Sequence, residues 1–183
     1  GRFDATNVLG PEVLVACGIA ALGIDHERFL LVPEAGVPAE PLARIAFEKA
    51  GIAKAGAALV TLSYGPGMNE TVEAQAERAG TYVVRAGSDW STAPEPDGFS
   101  YQDHKGLLHL PRPRLSGPHQ TINAGLAVAM LRHQDAIAVP DAALAAAMDW
   151  ARWPARLQRL ETGPLTALLP EGTPCWLDGG HNP

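Results

Sequence analysis

Short apolar runs alternating with segments of helical period constrain this chain more than any other feature. Residues 13–19 (VLVACGI), 58–63 (ALVTLS) and 81–87 (TYVVRAG) are brief, β-branched in part and apolar almost throughout. Uninterrupted apolar strands of this kind belong inside parallel sheets, where both faces are covered. Between them, Pro38–Ala50 carries Leu42, Ile45, Ala46 and Lys49 at helical spacing with Gly51 as a stop. Residues 69–80 (NETVEAQAERAG) read as a second helix closed by Gly80. Strand, helix, strand, helix predicts an α/β domain with a mainly parallel sheet.

The middle of the chain changes character. WSTAPEPDG is polar and proline-rich and reads as a loop. FSYQDHKGLLHLPRPRL alternates on both sides of His104-Lys105-Gly106, which predicts an antiparallel hairpin at the edge of the sheet. Two further helices are expected over 117–133 and 141–152. WPARLQRL then reads as a link, and CWLD (175–178) as a new strand.

Composition narrows the function classes. A net charge of −6 leaves no basic footprint for nucleic acid or anionic membrane. No apolar run approaches the ~20 residues of a membrane-spanning helix, and no signal-peptide core opens the chain. Cys17 and Cys175 are far apart, lie in strand-like runs and lack a CxxC partner. They read as structural thiols in a reducing cytoplasm.

Several residues stand where chemistry is expected, each with a plainer alternative. Asp25-His26 follows a parallel strand, the position at which open α/β sheets bind ligands, yet such a pair also serves as a turn or helix cap. Lys49 lies near the end of a helix with an inward apolar stripe. It must snorkel, pair or be chemically altered, or it simply favours the helix dipole as a solvated lysine. Asn123, after Gly117-Pro118-His119-Gln120, suits either a base edge or a helix cap. Arg156 stands between two apolar residues expected to anchor it, Trp153 and Leu157, and suits either a phosphate or linker carbonyls. Asp178, ahead of two glycines, suits ribose hydroxyls, with His181 near a phosphate, although a DGG turn needs no ligand. His104, His109 and His133 show no metal-ligand spacing and read as surface or hairpin residues. Neither GxSxG nor GxxxxGK[ST] is present.

Taken in order, GRFDATN, IDH, IAFEKAGI, LSGPHQTINA, WPARLQ and LDGGHNP resemble the folylpolyglutamate synthase/dihydrofolate synthase family of the Mur-ligase superfamily, from the first residue to the last. The resemblance implies a Mur-ligase-type central domain, with an antiparallel edge hairpin and the start of a second α/β domain. Residues 1–160 would be the central ATP-binding domain. Residues 161–183 would be the linker and first strand of a glutamate-ligase domain. It further implies an ATP-dependent ligase joining L-glutamate to a dihydropteroate or reduced folate carboxylate through an acyl phosphate. ATP and Mg²⁺ would be required, with K⁺ as an optional further cation. Carried over by motif, His26 is a metal ligand, and Lys49 is carbamylated into an anionic ligand for a hard cation. Asn123 contacts adenine, Arg156 the phosphates and Asp178 the ribose, with His181 beside the nucleotide. A cytoplasmic monomer with small-molecule partners is expected. Another Mur-type amide ligase, or a non-catalytic α/β nucleotide-binding module, are the competing readings.

Two departures from the family pattern matter. Between His26 and Lys49 lie 23 residues of sequence separation, with an additional VPEAGVPAEP before the helix. A surface insertion costs little loop entropy, so the site is expected to survive it. The family's phosphate loop and a metal-binding glutamate lie upstream of its GR[LF]DATN motif, and its glutamate-binding domain lies downstream. The chain is therefore expected to be an internal piece of a larger enzyme and inactive alone.

Overall fold

The computed structural model describes residues 2, 7–24 and 31–180. Three parallel strands form its centre: β1 (Ala16–Ile19), β2 (Ala58–Thr61) and β3 (Val83–Arg85), in the order β1-β2-β3. Every residue of β2 is buried, because both of its faces are covered. On one face, Cys17, Ile19 and Leu59 pack against α1 (Pro41–Ala50) and α2 (Pro66–Ala79) through Ala46, Ala50, Val72 and Ala76. On the other, Ala58, Val60 and Val84 meet α3 (His119–Arg132) and α4 (Asp141–Trp150) through Leu126, Val128, Ala129, Leu144 and Met148. Pro66 starts α2 and Gly80 ends it in the left-handed region at φ 72°, its N–H reaching the carbonyls of Ala76 and Glu77.

The antiparallel part is larger than the expected edge hairpin. It is a separate three-stranded sheet of β4 (Trp90–Glu95), β5 (Gly98–Asp103) and β6 (Gly106–Pro111), joined to the parallel strands by a single bridge from Ala86 to Trp90. WSTAPE is thus a strand and not a loop. Its proline is tolerated because β4 lies at the sheet edge, and its first residue, Trp90, is buried and stacks on Tyr101 at 6.1 Å between centroids. Phe99, Tyr101, Leu108 and Leu110 complete the buried face under α3 and α4.

Beyond α4, β7 (Gln158–Leu160) and β8 (Cys175–Leu177) pair antiparallel as a small third sheet. The expected domain boundary at 160 therefore falls within a region bridged by hydrogen-bonded strands. Cys17 and Cys175 are both free thiols, Cys17 buried under β2 with Sγ directed at the Ala58 carbonyl. Among the described residues, no helix is long and apolar enough to cross a membrane.

Candidate functional site

Lys49 stands in the last turn of α1, and the start of the chain is fastened to that turn. Glu40 begins α1 by accepting from the N–H groups of Leu42 and Ala43 at 3.1 and 2.6 Å, just ahead of Pro41. Glu48, buried, receives Arg2 Nε at 3.0 Å and Arg2 Nη2 at 2.7 Å. Arg44, also buried, lies one turn earlier with its guanidinium 3.1 Å from the same carboxylate. Glu34 closes the network, accepting from Arg2 at 2.7 Å and from Arg44 at 3.0 Å. The Arg2 guanidinium also lies 4.7 Å over the Phe47 ring. Hydrogen bonding to Glu48 and then Glu34 raises the Arg2 pKa further, and the Arg2 pairing lowers that of Glu34.

Asn7 makes the second fastening. Its Nδ2 donates to the Gly51 carbonyl at 2.9 Å, and its Oδ1 accepts from Lys54 Nζ at 2.8 Å. Gly51 ends α1 in ordinary right-handed conformation. What requires glycine there is space: a Cβ would lie 2.8 Å from the Arg2 Cα. Arg2 and Asn7 of the GRFDATN motif are therefore packed against the EKAGI turn. Lys49 is half-buried within it, and its ammonium has no hydrogen bond or ion pair with another described residue.

A second group of candidate residues lies near the opposite end of the chain. Asp178 Oδ2 accepts from the Leu157 N–H at 2.7 Å, and its Oδ1 from the Gly180 N–H at 2.6 Å. Gly179 donates in turn to the Ala155 carbonyl at 2.8 Å. These backbone donors, Leu157 first, lower the Asp178 pKa, helped by the charges of Arg156 and His119. Ala155 and Leu157 both adopt positive φ, 56° and 44°, which strains the backbone on either side of Arg156. Arg156 itself is exposed. The expected anchors do not fix it: Trp153 is 68% exposed and Leu157 38%. The Asp178 hydrogen bond and the strained turn hold it instead, because the loop is too exposed for apolar anchoring to order it.

Asn123 lies in the first turns of α3, half-buried, with Nδ2 donating to Gln120 Oε1 at 3.2 Å. It is inside the helix rather than capping it. The loop carrying Arg156 reaches this helix start, since a Cβ on Gly117 would lie 3.4 Å from Leu157. The Arg156 turn and the Asp178 loop thus lie near the start of the helix that carries Asn123. Lys49 belongs to a different group, on a helix covering the other face of the parallel sheet. His26 and His181 lie outside the described residues. Arg2, Glu34 and Asn7 were not singled out from the sequence. Their signal was an Arg and an Asn inside a motif, and an Arg44/Glu48 pair at i, i+4 on the helix face opposite the expected apolar stripe.

No family model matches the chain. Among characterised proteins it is 30% identical to the dihydrofolate synthase/folylpolyglutamate synthase of Bacillus subtilis over 190 residues, covering all of this chain and 40% of that protein. The folylpolyglutamate synthase of Lacticaseibacillus casei is 27% identical over 191 residues with the same coverage. Of solved structures, Escherichia coli FolC in complex with DHPP and ADP superposes with a TM-score of 0.75 at 26% identity, covering all of this chain and 38% of that one. An FPGS–AMPPCP–folate complex superposes with a TM-score of 0.77 at 25% identity, covering all of this chain and 42% of that one. The chain spans about 40% of the length of these relatives.

Proposed function

We propose that this chain, which matches the folylpolyglutamate synthase/dihydrofolate synthase family along its whole length, supplies part of an ATP-dependent ligase adding L-glutamate to a folate-type carboxylate. The observation that carries the reading is that sequence and fold both match those enzymes from end to end. In the reaction, the acceptor carboxylate takes the γ-phosphoryl group of ATP, releasing ADP. The glutamate amine then attacks the acyl phosphate, forming the amide and releasing inorganic phosphate.

Each described residue has a role that its surroundings support. Both Asp178 oxygens keep a lone pair beyond the one given to a backbone N–H, and these would accept two ribose hydroxyls. Arg156, exposed on a strained turn, would pair with phosphate oxygens as a planar fork. Asn123 spends its Nδ2 on Gln120 and keeps Oδ1 to accept from an adenine amino group. Lys49 has no counter-ion among the described residues, so nothing there opposes its conversion. Its neutral amine would attack CO₂, forming an N–C bond and releasing one proton, to give a carbamate. Glu48 cannot serve in its place, being committed to Arg2 and Arg44.

The donor set fits a hard cation once Lys49 is a carbamate: His26 and Lys49 would hold Mg²⁺, which neutralises triphosphate charge when bound. His181 would lie beside the nucleotide. Residues 1–160 and 161–183 would fall in successive domains. The free thiols Cys17 and Cys175 suit a cytoplasmic protein. It would act as a monomer on small-molecule substrates.

The test uses a protein spanning the relatives' full length. With dihydropteroate or a reduced folate, L-glutamate and Mg-ATP, ADP release and glutamyl product are expected in equal amounts. ADP release with another acceptor or amino acid alone would assign it to a different Mur-type ligase. ATP binding without turnover would make it a binding module.

A further inference from the structure

The opposite end of α3 from Asn123 carries a cluster that the ligase reading does not use. His104 lies in the turn between β5 and β6, and His133 is the residue that caps α3. Their rings approach to 4.8 Å between centroids with planes at 59°. One nitrogen of each and one Asp103 oxygen lie within 4.8 Å of one another. His133 has only 10% of its side chain exposed, and its buried Nε2 has no hydrogen-bond partner, the Asp103 Oδ2 being 3.6 Å away. A buried ring nitrogen left without a partner is unfavourable, and a ligand bound to it would relieve that cost. The sequence hides the cluster because 29 residues separate the two histidines, and neither has a short-range ligand spacing.

We propose that His104 and His133, backed by Asp103, bind a borderline divalent cation of the Zn²⁺ class at a site distinct from the nucleotide loops. Asp103 is already committed. Arg132 grips both its oxygens at 2.8 Å, Tyr101 donates to it at 3.0 Å and the Lys105 N–H at 2.8 Å. It therefore serves as a fixed negative charge beside the histidines, 3.6 Å from His133 Nε2, which favours a cation there. The neighbouring cations are likewise engaged, Arg132 with Asp103 and Asp141, and Lys105 with the Arg132 carbonyl and Asp135. Two imidazoles select Zn²⁺, Ni²⁺ or Cu²⁺ over Mg²⁺.

Access and reach are both provided. A cavity of about 680 Å³, lined by Ser88, Asp89, Gln102, His104 and His133 among others, opens beside the cluster and admits water for the remaining positions. Ligands around one tetrahedral Zn²⁺ lie about 3.3 Å apart, so the exposed His104 must swing inward on its turn. A bound ion would clip the antiparallel sheet to the end of α3. Asn123 is ten residues earlier on that helix, about 15 Å along its axis.

The test titrates Zn²⁺ alone, and then Co²⁺ as a spectroscopic substitute, into the chelator-treated chain. One equivalent is expected to bind, with Co²⁺ giving visible d–d absorption, unaffected by millimolar Mg²⁺. His104→Ala, on an exposed turn where folding is not at stake, should weaken binding at least tenfold, as should His133→Ala. His26→Ala should leave it unchanged. Absence of stoichiometric binding, or binding equal in the His104→Ala variant and wild type, or loss only in His26→Ala, would overturn the proposal.

Discussion

Arg2 holds Glu48 with two guanidinium nitrogens, and Glu48 is the residue immediately before Lys49. The start of the chain is thus fixed to the helix turn that presents the lysine. Glu48 is the common acceptor for two arginines, one of them buried. Glu48→Ala would leave Arg2 and the buried Arg44 sharing only the half-exposed Glu34, and is expected to cost about 3 kcal/mol. Glu34→Ala removes a 45%-exposed partner and should cost much less than Glu48→Ala. Urea unfolding of both variants checks the ratio.

Lys49→Ala is expected to abolish glutamate ligation in a full-length enzyme while leaving the melting temperature within a few degrees, since alanine favours helix. Lys49→Arg should be equally inactive, because guanidinium does not form a stable carbamate. Acetate or formate should partly restore the alanine variant, and CO₂ depletion should slow the wild type. Near-normal turnover by Lys49→Arg would show that the lysine is only a helix-end charge.

Asp178→Ala removes the acceptor for the Leu157 and Gly180 N–H groups and frees the Arg156 turn. Nucleotide affinity should fall at least about tenfold, equivalent to about 1.4 kcal/mol. The residue is remote from the core, so thermal stability should hardly change. Calorimetric titration with ADP separates the two effects.

Asp103 has no exposed side-chain surface. Burial alone would raise its pKa, but Arg132, the Lys105 N–H and the Tyr101 hydroxyl outweigh this and lower it to about 2. A carboxyl depressed on folding contributes stability above its unfolded pKa of about 3.9 and loses it as pH falls through the folded value. Stability should therefore drop by roughly 2 kcal/mol between pH 4 and pH 2, and Asp103→Asn should flatten that slope. Urea midpoints across the range provide the measurement.

The parallel core was legible because its strands carry apolar runs and its helices carry stops such as Gly80. The strand from Trp90 to Glu95 was not. Its proline and polar residues reflect an edge position, and its pairing with β5, packed by the buried Trp90 against Tyr101, makes it a strand. Motif order pointed to Asn123, Arg156 and Asp178 as candidates, and the fold brings the Arg156 turn and the Asp178 loop together near the start of α3. It could not show what holds Arg156, because the Asp178 hydrogen bonds arise from backbone positions 21 and 2 residues away. The Arg2 network was hidden for the same reason: its members come from segments 32 and 46 residues apart.

The cross-links between the Arg156 turn and the Asp178 loop also couple their displacements. With Leu157 tied to Asp178 and Gly179 tied to Ala155, the two loops behave as a single jaw. Whatever shifts the segment beyond β8 must carry the Arg156 guanidinium with it, toward or away from the start of α3. On the roles proposed for Asp178 and Arg156, grip on the sugar and grip on the phosphates would then open and close in step, so that a nucleotide would leave both together.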